Sequence, residues 1–181
     1  TSKKRKWMFI WRKAVLQQRS TTNNMQILLP LEKYREVLDI TPVCCVDITF
    51  FNSDKTKTLL FKRENEPLRG VYFSVGGRLI KNELLEDCAV RQCLRESGIN
   101  INRNDLTFGG VQEELHPNSV FEGVSYHAVV IYYGYVLNDE NEIKLDSQHS
   151  DFKWFSVSDD SLHPFIKSRI TNLLKIYGKK L

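Results

Sequence analysis

The chain of 181 residues contains no apolar run near the roughly 18 to 20 residues that a membrane-spanning helix needs. It also lacks CxxC pairs, and its four cysteines have neither metal-ligand nor secreted spacing. These absences argue against a membrane-spanning protein and a disulfide-stapled secreted domain, and they favour a reducing compartment, either the cytoplasm or an organelle matrix. Cys44 and Cys45 lie in a strand-like run, so we expect both thiols to be buried.

Acidic residues are absent from the first 24 positions, which hold seven of the 26 lysines and arginines. The remaining 157 residues therefore carry 19 basic and 22 acidic side chains, so the net charge of +4 resides in this basic arm and does not make the body a nucleic-acid-binding surface. Three interpretations of the arm remain open: the remnant of a targeting segment, including a mitochondrial one, an RNA-binding segment, or a helix that contacts the domain or a protein partner. The third rests on apolar residues at helical spacing: Trp7, Ile10, Trp11, Ala14 and Val15.

The polar segment 20–24 is the best candidate linker, and it places one compact domain at residues 25–181. Apolar periodicity predicts helices at 30–38, 83–97 and 164–178. Runs of β-branched and aromatic residues predict strands at 41–51, 58–63, 70–77, 106–115, 127–137 and 152–157, the first two as a hairpin. This order of elements predicts an α/β fold in which a mixed β-sheet lies between helices.

The stretch 76–99 combines a glycine pair with a helix that carries charged and amide side chains. Gly76 and Gly77 leave their backbone carbonyls open to a ligand, because no side chain obstructs them. Gln92 and Glu96 are four residues apart, so they share a helix face. One carboxylate, an amide oxygen and a backbone carbonyl suffice to hold a magnesium ion when a diphosphate completes its coordination.

This stretch resembles the Nudix signature, a fixed pattern of glycine, glutamate and arginine residues that spans a strand end and a helix. The matching positions are Gly77, Glu83, Arg91, Glu96, Gly98 and Ile99. Gln92 and Arg95 stand where the family usually has metal-binding glutamates. The resemblance implies an α/β/α sandwich and a divalent metal, magnesium or alternatively manganese, that binds a diphosphate substrate.

The chain is also similar to the GDP-mannose mannosyl hydrolase branch of that family, which lacks part of the same glutamate set. Three segments carry this similarity: LLFKR (59–63), YFSVGGRL (72–79) and DSQHSDFKW (146–154). It implies that water attacks carbon 1 of the sugar and releases GDP and a free hexose, instead of splitting the pyrophosphate. Because enzymes of this branch are dimers, a homodimer is expected as well.

The metal ligands that this branch implies are the Glu96 carboxylate, the Gly76 carbonyl and the side-chain oxygen of Gln148. His149 is the candidate general base, since a neutral imidazole at about pH 7 is suited to removing a proton from water. Both Gln148 and His149 are expected just before the last strand.

Residues outside the signature helix are expected to contact the substrate. Arg63 and Arg78 are the expected diphosphate clamps, because guanidinium groups match phosphate oxygens and keep their charge. Arg91 either joins them or braces Glu83, and Asp47 either binds sugar hydroxyls or makes a structural hydrogen bond. Three residues match the region that contacts the nucleobase in this branch, although the tyrosine is equally suited to a core position: Leu28, Leu29 and Tyr34.

The segment 112–126 departs from the branch, since Glu113 and Glu114 stand where the family has a histidine, and His116 is displaced from that position. Either glutamate is a candidate metal ligand, as in ordinary Nudix enzymes. That arrangement favours a standard pyrophosphatase that acts on a nucleotide sugar, a dinucleotide or an RNA 5′ end. A non-catalytic Nudix module that binds a nucleotide or a protein is a further alternative, and a magnesium-dependent GDP-sugar hydrolase is the leading hypothesis.

Overall fold

The structure, a computed structural model, describes residues 29–137 and 142–179, so the expectations for residues 1–24 and for Leu28 concern residues outside these ranges. In chain order the elements are α1 (Leu31–Ile40), β1 (Val43–Phe51), β2 (Lys57–Arg63), β3 (Tyr72–Phe73), β4 (Val75–Arg78), α2 (Leu85–Ser97), a 3₁₀ turn (Arg103–Asp105), β5 (Thr107–His116), β6 (Tyr126–Val136), β7 (His149–Ser156) and α3 (Pro164–Ile176). Within those ranges, none of the helices has the length and apolar character needed to cross a bilayer.

The strands form one sheet in the order β3-β2-β1-β6-β5, with β4 paired to β1 and β7 paired to β2. β1 and β6 run parallel, whereas the other pairs are antiparallel, so the sheet is mixed as predicted. Phe50 pairs with Leu59, which confirms the hairpin between the first two strands. The central strand β1 therefore contacts β2, β4 and β6, and its residues lie in the middle of the sheet.

Helices cover both faces of the sheet, as a central strand with two buried faces requires. Val46 and Phe50 share a buried cluster with Cys88 of α2. On the other face, Phe51 shares a cluster with residues of α3, and Cys45 shares one with residues of α1. Because successive strand residues point to opposite faces, α2 lies on one side of the sheet and α1 and α3 lie on the other. This arrangement confirms the α/β/α sandwich.

The signature helix α2 begins at Leu85, two residues later than predicted, and it ends at the predicted cap. Leu84 is extended, and the Glu83 carboxylate accepts a hydrogen bond from the Ile80 N–H at 3.1 Å, so the chain before Leu85 is a turn. Gly98 has a φ of 71° and donates its N–H to the Leu94 carbonyl. A left-handed glycine is the usual way to end a helix.

The last strand, β7, begins at His149, three residues earlier than predicted. His149 pairs with Arg63 of β2 across a bulge, and this pairing extends the strand toward the N-terminus. The expectation that His149 precedes the strand is therefore wrong, although Gln148 does precede it.

The adjacent cysteines of β1 differ in exposure, since Cys45 is buried and Cys44 is exposed. Alternate residues of a strand face opposite sides, so two neighbouring thiols do not share one environment. The expectation of two buried thiols is wrong for Cys44. All four cysteines are free thiols, as their spacing predicts.

Candidate active site

A cavity of about 670 Å³ is lined by α1, β1, β4, α2, β5, β6 and the loop after β2. It brings together most of the predicted site residues: Leu29, Tyr34, Asp47, Arg63, Gly76, Arg78, Arg91, Gln92, Glu96, Glu114 and Gln148. Of the predicted residues that the structure describes, His149 and Glu113 are not part of the cavity wall. The glycine pair, the signature helix and the residues around Asp47 therefore form one site.

Glu96 is a buried carboxylate in this wall, with only 4% of its surface exposed. Its Oε2 accepts a hydrogen bond from the Gly76 N–H at 3.0 Å, and its Oε1 accepts one from Arg95 at 2.6 Å. Burial raises the pKa of this carboxyl, whereas Gly76, Arg95 and His149 act in the opposite direction. Because the raised pKa means that the ionised form lacks full compensation, a nearby cation would stabilise it.

Glycine is required at positions 76 and 77 by the close approach of two side chains. A Cβ atom on Gly76 would lie 2.1 Å from Asp47 Oδ1 and 2.6 Å from the Val46 carbonyl oxygen. A Cβ atom on Gly77 would lie 2.4 Å from Gln92 Nε2. The glycine pair thus allows Asp47 and Gln92 to pack directly on the backbone of β4.

The surroundings of Glu96 fit a magnesium ion, because they offer further oxygen atoms. Gln92 Oε1 is buried and has no hydrogen-bond partner in the part of the chain that the structure describes. Gln148 lines the cavity, and it is its Nε2 atom, not its side-chain oxygen, that bonds Asp146 Oδ2 at 3.1 Å. Among the residues that the structure describes, no group of three or more histidine, cysteine, aspartate or glutamate side chains could hold a metal, so a bound ion would need oxygens from the substrate or from water.

Four arginines give part of the cavity wall a positive charge, and we call this part the cationic end: Arg63, Arg78, Arg91 and Arg95. Arg91 pairs with Glu83 at nitrogen–oxygen distances of 2.6 and 2.8 Å, which supports the bracing interpretation. Arg63 Nε donates to the Pro67 carbonyl at 2.9 Å. The Arg78 guanidinium lies 5.7 Å from the centre of the Tyr34 ring, within the range of a cation–π contact.

His149 is buried at the start of β7, with 5% of its surface exposed. Its Nδ1 lies 2.9 Å from Asp146 Oδ1, while Nε2 is buried and finds no hydrogen-bond partner within residues 29–137 and 142–179. When Nδ1–H donates to the carboxylate, the lone pair resides on Nε2, which is the tautomer that a general base needs. Asp146 is therefore a candidate site residue that spacing in the sequence did not single out, although it begins the DSQHSDFKW segment.

A second part of the wall is formed by buried polar side chains, and together with the buried Arg169 side chain we call them the polar floor: Asp47, Ser74, Glu114 and His116. Arg169 of α3 is fully buried and donates from Nη1 to Asp47 Oδ2 at 2.8 Å and to Ser74 Oγ at 2.7 Å. Its Nη2 donates to Glu114 Oε1. His116 Nε2 lies 3.5 Å from Glu114 Oε2 and has no hydrogen-bond partner. Two carboxylates thus share one buried guanidinium.

Three residues predicted to belong to the site lie in or beside the polar floor: Asp47, Glu114 and Glu113. Burial raises the pKa of the Asp47 carboxyl, Arg169 opposes this effect, and the charge of Glu114 adds to it. Glu114 faces the cavity, but its carboxylate is bound by Arg169. Glu113 points away from the site, since its side chain is 64% exposed and lies 2.9 Å from His127 Nε2.

Arg169 was missed by the sequence analysis, which treated α3 only as an amphipathic helix. One signal in the sequence could have identified it. Arg169 follows Ile166 by three residues and precedes Leu173 by four, so it lies on the apolar stripe of the helix. A basic residue on a buried stripe needs a buried acidic partner, and Asp47 is an isolated acid in the apolar run of β1.

Comparison with known proteins places this fold and site in one family. The family model described as "NUDIX domain" matches residues 43–172, which is more than half of the chain. The low-salt glycan biosynthesis protein Agl8 of Haloferax volcanii is 30% identical over 151 residues, which cover 83% of this chain and 94% of that protein.

Solved structures agree with this result at the level of the fold. The MutT NUDIX hydrolase of Burkholderia pseudomallei is 20% identical with a TM-score of 0.60, and the match covers 74% of this chain and 98% of that one. The NUDIX domain of Shewanella oneidensis NrtR, solved with ADP ribose, is 19% identical with a TM-score of 0.59, and the match covers 82% of this chain and 99% of that one. The chain thus belongs to the NUDIX domain family and is a hydrolase of nucleoside diphosphate derivatives.

Proposed function

We propose that the chain is a magnesium-dependent hydrolase of GDP-sugars, which directs water to carbon 1 of the sugar and releases GDP and a free hexose. The observation that carries this proposal is the composition of the cationic end, where one buried carboxylate, Glu96, lies among four arginines. Attack of water on phosphorus calls for several carboxylates that hold metal and activate water. Expulsion of a diphosphate calls for positive charge on the leaving group, and arginines supply that charge.

Magnesium would be held by the Glu96 carboxylate, the Gly76 carbonyl and the side-chain oxygen of Gln148, and the unpartnered Gln92 Oε1 is a fourth oxygen in the same region. When bound, the ion supplies positive charge to the diphosphate oxygens and so improves the leaving group. This requirement for a divalent metal is general among hydrolases of this family.

Arg63 and Arg78 are the residues that we assign to the departing diphosphate. Both line the cavity, and the charge of a guanidinium persists at every pH at which the protein folds. Arg78 also lies over the Tyr34 ring, so Tyr34 and Leu29 provide an apolar surface beside the phosphates where a nucleobase can pack. Arg91 is assigned to bracing, because its two hydrogen bonds to Glu83 already use its guanidinium.

His149 is the base in this proposal, and Asp146 is its positioning residue. The 2.9 Å contact between Nδ1 and Asp146 leaves Nε2 to take a proton from water. Nε2 is buried and without a partner, as expected of an atom that receives its partner with the substrate. His149 is not part of the cavity wall, but the neighbouring Gln148 is, so water must pass Gln148 to reach His149.

The similarity to a protein named for glycan biosynthesis supports a sugar-linked substrate, since the two chains match over most of their lengths. Asp47 is consistent with the same substrate. It lies in the cavity wall opposite Gly76 in the β1–β4 register, next to the position proposed for the diphosphate.

Identification of products tests the proposal. The protein is incubated with GDP-mannose, GDP-glucose, ADP-ribose and a 5′-triphosphorylated RNA, first with magnesium and then with EDTA, and the products are separated by chromatography. We expect GDP and free hexose from a GDP-sugar, with no turnover in EDTA. GMP with sugar phosphate, or cleavage of another substrate alone, would contradict the proposal and favour a standard pyrophosphatase.

A further inference from the structure

The polar floor offers more hydrogen-bond acceptors than its own donors use. Arg169 is one cation between two carboxylates, and its bonds reach Asp47 Oδ2 and Glu114 Oε1. The other oxygens of these groups, Asp47 Oδ1 and Glu114 Oε2, belong to side chains that face the cavity. This part of the wall is therefore anionic and suited to a ligand that donates hydrogen bonds.

His116 is an independent sign that a ligand binds at the polar floor. It is only 8% exposed and lines the cavity, and its Nε2 has no hydrogen-bond partner among the described residues, although Glu114 Oε2 lies 3.5 Å away. The ring is held between Tyr126 and Phe165, at centroid distances of 6.0 and 5.8 Å. A buried polar atom without a hydrogen bond lowers stability, so its presence in a cavity wall favours a ligand contact there.

The charges of the two parts of the cavity determine which portion of a substrate each part binds. Phosphates are attracted to the four arginines of the cationic end and are repelled by the two carboxylates of the floor. Asp47 pairs with Gly76 in the neighbouring strand, and the Gly76 N–H bonds Glu96. Asp47 Oδ1 packs against the Gly76 backbone, so the floor begins directly beside the proposed metal ligands. Glu114 and His116 lie on β5, two strands from β1 at roughly 5 Å per strand spacing, which is enough for a sugar ring.

We propose that Glu114 and His116 bind hydroxyl groups of the glycosyl part of the substrate and thereby select the sugar. This inference rests on the proposed function, because it names the part of a nucleoside diphosphate sugar that occupies the polar floor. Glu114 Oε2 accepts a hydrogen bond from one hydroxyl, and His116 Nε2 bonds a neighbouring one. Arg169 is a positioning residue that fixes Glu114. A site built to bond a hydroxyl strongly rejects an analogue that lacks it.

The test compares each nucleoside diphosphate with its own glycosyl ester: GDP with GDP-mannose, UDP with UDP-glucose, and ADP with ADP-ribose. Binding to the full chain is measured by calorimetry with magnesium present, in a His149→Ala background that slows turnover. Glu114→Gln and His116→Phe are the test variants. Glu122→Gln is the matched control, since it removes one carboxylate from an exposed position outside the cavity.

For the pair that binds, we expect Glu114→Gln and His116→Phe to raise the Kd of the glycosyl ester by about 10- to 100-fold, the value of a hydrogen bond to a charged or buried group. The Kd of the parent diphosphate should change by less than about two-fold, and Glu122→Gln should change neither. An equal loss for both members of the pair would overturn the proposal, because the floor would then contact the nucleobase or the phosphates. An unchanged affinity for the ester would overturn it as well.

His116→Phe keeps the test informative if Glu114→Gln disturbs the fold. His116 Nε2 makes no hydrogen bond within the described residues and lies 3.5 Å from Glu114 Oε2, so an aromatic ring of similar shape should lower the free energy of unfolding by less than the loss of a hydrogen-bonded buried group would. Selective loss of ester affinity without a comparable loss of stability is not expected of a purely structural histidine. If the pair that binds is not the guanosine pair, the GDP specificity fails while the sugar subsite stands, and if no pair binds, both proposals are wrong.

Discussion

The cationic end and the polar floor face the same cavity but are built in different ways. Arg91, Arg95 and Glu96 lie within six positions on α2. In contrast, Asp47 and Arg169, which bond each other in the floor, are 122 positions apart. In our proposal the cationic end binds the diphosphate, and the floor, assembled from β1, β5, α3 and the residue between β3 and β4, binds the sugar attached to it. A family with one signature can in this way serve different substrates.

Arg169→Met should have the largest effect, because it breaks the floor itself. Two buried carboxylates, Asp47 and Glu114, would lose the one guanidinium partner that they have among the described residues, and removal of one member of a buried ion pair costs about 3 to 5 kcal/mol. Urea denaturation measures the free energy of unfolding, with Lys167→Met, a half-exposed neighbour on the same helix, as the control. A loss below about 1 kcal/mol would contradict the view that the floor depends on this arginine.

His149→Ala should lower turnover of the GDP-sugar by roughly 10²- to 10⁴-fold, the usual contribution of a general base. Asp146→Asn should lower it by roughly 10- to 100-fold, because it removes the group that sets the imidazole tautomer. Steady-state kinetics measures both effects, and His127→Ala, which alters a half-buried histidine outside the cavity, serves as the control. Full activity of His149→Ala or of Asp146→Asn would contradict the assignment of His149 as the base and Asp146 as its positioning residue.

Glu96→Gln should change stability least of these substitutions. In the absence of metal, the variant should be at least as stable as the unaltered protein. Burial raises the pKa of Glu96 in the folded state above its value in the unfolded state. Glu96 therefore does not lower the free energy of unfolding below the unfolded-state pKa, and it lowers it increasingly as the pH rises through the folded-state pKa. At about pH 7 in EDTA, the Tm of Glu96→Gln should therefore equal or exceed that of the unaltered protein.

Magnesium with GDP-mannose should then raise the Tm of the unaltered protein but not that of Glu96→Gln, since a ligand stabilises only a state that binds it. Glu122→Gln is again the control, and thermal unfolding is the measurement. A variant less stable than the unaltered protein in EDTA would indicate that Gly76 and Arg95 already compensate the Glu96 charge.

The sequence predicted the fold and the shared face of the signature helix because both depend on local spacing. Gln92 and Glu96 share a helix face at any tertiary arrangement, and the alternation of strands and helices leads to the sandwich. The start of β7 was misplaced because His149 joins the strand through pairing with Arg63, a contact that spacing along the chain does not contain.

The polar floor was not predictable as a unit, although the sequence marks two of its members as polar residues in apolar surroundings. Asp47 interrupts an apolar strand and Arg169 lies on an apolar helix stripe, yet only the sheet order brings β5 and α3 to the same side. The parallel pairing of β1 with β6, and the antiparallel pairing of β6 with β5, place Glu114 near Asp47. That arrangement assigns Glu114 to Arg169 and leaves Glu113, one residue earlier, on the exposed surface.

The position of bond cleavage is the central claim, and hydrolysis of GDP-mannose in water enriched in oxygen-18 tests it most directly. The GDP product is analysed by mass spectrometry, since its phosphate oxygens do not exchange with water on the time scale of the assay. Attack at carbon 1 predicts GDP without the heavy isotope, because the new oxygen enters the hexose. Heavy oxygen in GDP, or in GMP or a sugar phosphate, would show attack at phosphorus and contradict the account.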